Sequence, residues 1–393
     1  MTFMRLRFRK TSVFSPRFAA TLAVIATLSV SVIAPRPAAG ERSGFSIATA
    51  PYHFVFPRDH GAHPAYQSEW WYFTGHLRTS GGRRFGYELT FFRVGLKPGD
   101  PRPGTAQSRW RGHELYPAHF ALTDEAGNTF FHVDRFAREA IGMGAAATGA
   151  LDVRADDWTL RGEPSVRPGF ERMTMHARAQ TPLGVDAIDL VQTPRKPPAI
   201  HGHGGVSRKA ACRSCASHYY SYTRLETAGT LTYHGKRLTV EGLSWMDHEY
   251  GSDELQRDQA GWDWFAIQLD DKREVMLYLL RQKDGSVTPQ SSGSLVAADG
   301  TVVYLPREAF AIEKTATWRS PHTGALYPSA WRVRIATQHI DVTLSPTVAD
   351  QELAATSTGV SYWEGAVDVR DAAGKALGVG YVEMTGYAGA ISL

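Results

Sequence analysis

From Pro51 onward, the pattern of apolar and polar positions is strand-like almost throughout, and no long amphipathic helical stretch interrupts it. Arg84-Phe-Gly-Tyr-Glu-Leu-Thr-Phe-Phe-Arg93 sets Phe85, Tyr87, Leu89 and Phe91 on one face. It follows the β-rich run Glu69-Trp-Trp-Tyr-Phe-Thr-Gly-His-Leu77 across the turn Ser80-Gly-Gly82, so a long hairpin is predicted. The second half repeats the plan. Gly261-Trp-Asp-Trp-Phe-Ala-Ile-Gln-Leu269 turns at Asp270-Asp271-Lys272 into Arg273-Glu-Val-Met-Leu-Tyr-Leu-Leu-Arg281. Trp70, Tyr72, Phe73 and Leu77 then match Trp262, Trp264, Phe265 and Leu269, while Leu89 and Arg93 match Leu277 and Arg281. Matches in the same order imply a tandem duplication.

An all-β protein of two units follows, with boundaries expected at 51–229 and 230–393. Meandering strands in units of this size suit closed up-and-down barrels, because closure removes exposed edges; a sandwich is the alternative. The junction is placed between Thr193-Pro-Arg-Lys-Pro-Pro198 and a strand beginning near Thr230, with His201-Gly-His-Gly-Gly205 as an irregular loop between them. The 37 Gly, 21 Pro and abundant aromatics (10 Trp, 16 Tyr, 18 Phe) fit many short strands joined by turns.

The net charge of +4 suggests a nucleic-acid binder only until it is located. Six of the 43 basic residues stand in the first 40 positions with no acid, leaving 37 basic against 39 acidic groups, a net of −2, in the rest. No basic stripe is left to neutralise a phosphate backbone, so no nucleic-acid partner is expected. Residues 1–40 read instead as a cleaved export signal: a basic start, the 17-residue apolar run Phe18–Ala34, then Ala38-Ala39-Gly40 before Glu41. A retained N-terminal anchor is the alternative. The expectation is a periplasmic or secreted protein with no stable membrane span after cleavage. In such a compartment the only cysteines, Cys212 and Cys215 in Cys-Arg-Ser-Cys, read as a local disulfide.

The densest cluster of ionisable residues is Trp245-Met-Asp-His-Glu-Tyr-Gly251, at the end of an apolar strand. Asp247 and Glu249 share a face with Trp245, and His248 points the other way. This suits either an acid–base site, with a carboxyl raised in pKa by tryptophan neighbours, or a solvated strand end with a local ion pair. Asp263, between Trp262 and Trp264, lies on an apolar face, where it serves as an anchor for Arg281 or as a neutral proton donor. The same two readings apply to Glu69, ahead of Trp70 and Trp71. His119 lies on a strand as a satisfied histidine or a ligand contact. Asp59-His60-Gly-Ala-His63 and His201-Gly-His203 have spacings seen in metal sites but lack a third partner, so neither metal nor cofactor is expected. No Gly-x-Ser-x-Gly elbow is present for serine chemistry.

Asp59-His-Gly-Ala-His-Pro-Ala-Tyr-Gln-Ser-Glu-Trp-Trp-Tyr72, Ala118-His-Phe-Ala-Leu122, Tyr219-Tyr-Ser-Tyr-Thr-Arg-Leu225, Trp245-Met-Asp-His-Glu249, Gly261-Trp-Asp-Trp-Phe265, Tyr362-Trp-Glu-Gly365 and Gly380-Tyr-Val-Glu-Met-Thr-Gly-Tyr387 follow in order. This series resembles the AttH-like exported proteins, relatives of hydroxyneurosporene synthase (a carotenoid hydratase) and, more distantly, of lipocalin-type cyclases. The resemblance implies two tandem lipocalin-like barrels packed together, with a ligand pocket in or between them. It further implies a lipophilic, isoprenoid- or polyene-like ligand and acid–base hydration, isomerisation or cyclisation. Asp247 or Glu249 would then supply the proton and His248 relay it. Glu69, Trp70, Trp71, His119, Trp245, Asp263 and Trp264 would line the ligand site. The chain departs from the commoner family pattern at Tyr250-Gly251 and in the Cys212–Cys215 insertion. A non-catalytic carrier and a secreted metal-assisted hydrolase are the competing functions.

Overall fold

A computed structural model describes residues 44–98, 112–252, 255–354 and 361–389. The expected export signal, residues 1–40, lies outside them. Among the described residues no helix is long and apolar enough to cross a membrane; the helical elements are short 3-10 turns.

The remaining regular structure is strand. The first sheet holds β1 (Ser68–Thr79), β2 (Arg84–Gly95), β3 (Glu114–Asp124), β4 (Thr129–Arg138), β5 (Gly144–Ala146), β6 (Asp152–Ala155), β7 (Trp158–Gly162), β8 (Met173–Thr181), β9 (Gly184–Pro194), β10 (Ala199–Ile200), β11 (Ser207–Arg208), β12 (Ala216–Tyr233) and β13 (Lys236–Gly251). The second holds β14 (Gln259–Leu269), β15 (Glu274–Gln282), β16 (Ser292–Val296), β17 (Val302–Pro306), β18 (Ala311–Arg319), β19 (Leu326–Ile335), β20 (Ile340–Pro346), β21 (Glu352–Ala354), β22 (Ser361–Arg370) and β23 (Ala376–Met384).

Both sheets obey one rule: the first strand pairs with the last. β1 lies antiparallel to β13 and β14 to β23, and each barrel leaves its gap in mid-sequence, between β4 and β5 and between β17 and β18. The duplication read from the hairpins is thus a duplication of barrel topology. The boundary falls elsewhere than expected. Position 229/230 lies inside β12, and β13 still belongs to the first sheet, so the sheets change between Gly251 and Gln259. The reason is closure: one further hairpin, turning at His234 (φ 51°) and Gly235 (φ 77°), must return the chain to β1. Positive φ at both turn positions is the geometry that twists with a two-residue hairpin. Nor is 201–205 wholly irregular. The His201 backbone N–H donates to the Tyr219 carbonyl of β12, and His203 bridges to Val206.

Trp71, Phe73, Leu89, Phe120, Trp158 and Met246 fill the first barrel; Phe265, Leu277, Trp331, Trp363 and Val382 fill the second. A third apolar layer, with Tyr72, Tyr219, Trp245, Trp264, Tyr278 and Tyr381, lies between the barrels. β1 and β13 are therefore buried on both faces, which explains their unbroken aromatic runs. A cross-barrel clamp adds to the seam. Lys196 Nζ reaches Glu274 Oε2 (2.7 Å) and the carbonyls of Lys272 and Ala297 (2.6 Å each), and Arg224 Nε reaches Glu274 Oε1 at 2.5 Å. Cys212 and Cys215 are joined in a disulfide.

Candidate functional site

Strand alternation divides the Asp247-His248-Glu249 cluster between two compartments. Trp245, Asp247 and Glu249 face the seam, while Met246 and His248 face the first barrel's interior. Asp247 is buried and accepts from Tyr219 Oη (2.6 Å), Trp245 Nε1 (2.6 Å) and Ser221 Oγ. Burial lifts its carboxyl to about 7 against the pull of those hydrogen bonds, and Glu249 adds to the lift. Ser221 passes the network to His201 Nε2 (2.7 Å), whose Nδ1 meets Ser294 Oγ (2.9 Å) of the second barrel. Glu249 is tied to Lys209 Nζ at 2.5 Å and to Ser217. Its role here is an ion pair.

The seam holds three further acids, Glu88 and Glu364 buried and Glu383 half-buried. Glu364 on β22 and Glu383 on β23 are direct cross-strand partners, and Glu88 comes from β2 of the first barrel. Tyr72 Oη donates to Glu364, Trp262 Nε1 to Glu383 Oε2 (2.8 Å), and Thr90 Oγ1 to Glu88. Burial raises Glu383 to about 7, helped by Asp247 and Glu249. It raises Glu364 and Glu88 well above the carboxylate range, with the neighbouring acids pushing the same way. Like charges this close do not all ionise, so the layer holds neutral carboxylic acids at neutral pH. Sequence reasoning missed these residues as acids. Their signal lay in Tyr362-Trp-Glu and Tyr381-Val-Glu, where a glutamate alternates with an aromatic on each strand.

The other predicted positions separate by face. His119 is at the seam, with Nδ1 2.6 Å from Tyr362 Oη and a buried Nε2 that meets no hydrogen-bond partner among the described residues; burial lowers it to about 4. Trp70 and Trp264 also belong to the seam layer. Asp263 does not. It faces the second barrel's interior, held by Arg281 Nε at 2.9 Å and Tyr387 Oη at 3.2 Å. Glu69 and Trp71 belong to the first barrel's interior, where Glu69 takes Arg93 Nε at 2.7 Å and Trp71 stacks on His248. Each barrel thus has an acid–arginine pair on its first hairpin.

Residues 47–387 match the AttH-like family. The chain belongs to the AttH-like family. An AttH protein from Nitrosomonas europaea is 32% identical over 87% of this chain and 100% of its own, with a TM-score of 0.76. Kievitone hydratase from Nectria haematococca shares the fold at 15% identity and a TM-score of 0.63, covering 87% of this chain and 96% of its own. No curated protein matches the chain significantly.

Open space at the seam does not lie where the aromatic residues led the sequence to expect it. A cleft of about 720 Å³ runs between the barrels, lined by Leu77, Arg84, Thr227, Leu243, Asp368 and Val379 among others, and by none of the predicted ligand residues. His76 lines this cleft and also an inner cavity of about 10 Å³ that touches Trp245, Thr74 and Tyr381. The tryptophans meanwhile pack on one another: the Trp245 and Trp264 ring centroids are 6.0 Å apart, edge to face.

Proposed function

We propose that the seam between the barrels is an acid–base site for a lipophilic ligand carrying a carbon–carbon double bond. The observation that carries this reading is the Glu364–Glu383 pair. Two carboxyls face each other across adjacent strands, Glu383 sits near pKa 7, and Trp262, Tyr72 and Trp264 surround them. A neutral carboxyl can give its O–H proton to an alkene carbon, leaving a carboxylate and a carbocation that the aromatic faces stabilise. Water then adds to the cation and returns a proton to the carboxylate, which completes a hydration. Loss of a neighbouring proton instead gives isomerisation, and attack by a second double bond gives cyclisation. Asp247, hydrogen-bonded to Tyr219 beside Trp264, is the second candidate donor. His248 is not a direct relay to Asp247 in this reading, because it lies behind the sheet.

Membership of the AttH-like family and a fold shared with a hydratase support the reading. The basic and apolar first 40 residues support a periplasmic or secreted location, for which Glu41 as the mature N-terminus is the check. The close packing of the seam aromatics favours a second reading, a carrier that opens to admit its ligand without converting it. Native mass spectrometry of protein from its own host identifies a co-purified apolar molecule. That molecule is then incubated with fresh protein in H₂¹⁸O or D₂O. Enzymatic action predicts label uptake by the natural chain, at least 100-fold less by Glu383→Gln with Asp247→Asn, and retained binding. Binding without label uptake in either protein establishes the carrier.

A further inference from the structure

Outside the seam, the fold supplies the third partner that the Asp59-His60-Gly-Ala-His63 motif lacks in sequence. His63 comes from the loop ahead of β1, Glu69 from β1 and His248 from β13, and closure of the first barrel brings them together. His63 Nδ1 and His248 Nε2 both lie 2.8 Å from one oxygen, Glu69 Oε1, and the three potential ligand atoms are within 4.8 Å of one another. We propose that His63, Glu69 and His248 form a binding site for one divalent transition-metal ion of the zinc class, through His63 Nδ1, His248 Nε2 and Glu69 Oε1.

Two imidazole nitrogens aimed at one carboxylate oxygen must each carry a proton there, and a divalent ion replaces those protons. Bonds of about 2.0–2.2 Å in tetrahedral geometry require the ligand atoms to stand about 3.3–3.6 Å apart, so each nitrogen must draw back from Oε1 by roughly half an ångström while the two nitrogens, within 4.8 Å of each other, settle at the same spacing. The surrounding groups already hold the ligands in orientation. His63 Nε2 faces Asp59 Oδ1 at 3.6 Å, and His248 Nδ1 meets Tyr220 Oη at 3.0 Å. Arg93 Nε and the His63 backbone N–H occupy Glu69 Oε2, at 2.7 and 2.9 Å, which leaves Oε1 for the metal. Carboxylates or hydroxyls on the outer nitrogens of ligand histidines are the usual support in metal sites. The charge also permits it. Arg93 is balanced by Glu69 and by Glu114 (2.9 Å), and Arg58 by Asp59 (2.6 Å), so three carboxylates stand against two guanidiniums before the ion enters. Nitrogen donors favour zinc, cobalt, nickel or iron over calcium and magnesium. Glu69 and His248 are fully buried, whereas His63 is 14% exposed and gives the route of entry.

The test uses the untagged full chain, dialysed against a chelator and titrated with zinc by calorimetry and with cobalt by visible absorption. The expected result is one ion per chain and a cobalt spectrum characteristic of nitrogen and oxygen ligands. His63→Asn, which retains a hydrogen-bond donor for Glu69, should weaken zinc at least 100-fold while leaving the far-ultraviolet circular dichroism unchanged. Asp59→Asn should weaken it about 10- to 100-fold. Absence of saturable binding, or equal affinity in the natural chain and His63→Asn, overturns the proposal. Should His63→Asn unfold, a cobalt titration of the natural chain followed by the His63 and His248 imidazole NMR signals decides: paramagnetic loss of both supports the site, and survival of either refutes it.

Discussion

Glu383 is the residue whose environment can be read most directly from a pH series. Its folded pKa of about 7 lies above its ordinary value of 4.5, so the folded protein keeps a proton that the unfolded chain has lost between those values. Stability from this group is therefore complete below pH 4.5 and is lost as pH rises through about 7. The groups facing it are Glu364, Glu88, Asp247 and Glu249, all acids, with Trp262 as donor. Glu383→Gln should gain on the order of 2 kcal/mol over the natural chain between pH 5 and pH 8, measured from urea midpoints. Parallel pH curves for the two proteins would show that the carboxyl is not raised. His119 and His201 act in the other direction, since burial lowers them to about 4 and about 3 and acid must force protons onto them. Glu69 shows the opposite design from Glu383. It is held ionised by His248, His63 and Arg93, and Glu69→Ala leaves a buried guanidinium short of one partner. A loss of about 3 kcal/mol in urea denaturation is expected.

The elements explain why some of this was legible in sequence and some was not. Period two in β2 and the repeated hairpin gave the barrels, and the local Cys212–Cys215 link and the Asp263–Arg281 pair needed only short-range reasoning. The Asp247-His248-Glu249 alternation was also readable, but its consequence was not: the pairing of β1 with β13 decides what stands on each side. Because both faces of those strands are buried, the usual polar marker of an outer face is missing. Glu364 and Glu383 were hidden for the same reason, since their strands turn that face toward the first barrel and not toward solvent. The boundary was misplaced because a Pro-rich segment suggested a linker, whereas closure required another hairpin. Two glycines of that hairpin have different duties. At Gly235 (φ 77°) there is open space, so Gly235→Ala should cost about 1 kcal/mol from backbone conformation alone. At Gly242 an added Cβ would lie 1.8 Å from the His76 carbonyl oxygen, so Gly242→Ala should be the more damaging change in the same thermal unfolding assay.

At the scale of the whole molecule, the seam makes the two barrels one cooperative unit. Lys196 and Arg224 reach from the first barrel's chain to Glu274 of the second, with Lys196 and Glu274 buried and Arg224 partly so. Lys196→Met should cost about 3–5 kcal/mol and split the calorimetric transition in two; a single unshifted transition would show that the aromatic layer alone couples the barrels.

The pairing of first strand with last also dictates a schedule for a newly made chain. Until residues 236–251 have emerged, the row of amide and carbonyl groups along β1 has no neighbour on that side and can recruit another molecule. A fragment stopped at residue 229 should therefore clump, while one stopped at residue 252 carries its own seal. The ribosome must deliver more than half of this polypeptide before its opening strand is safe.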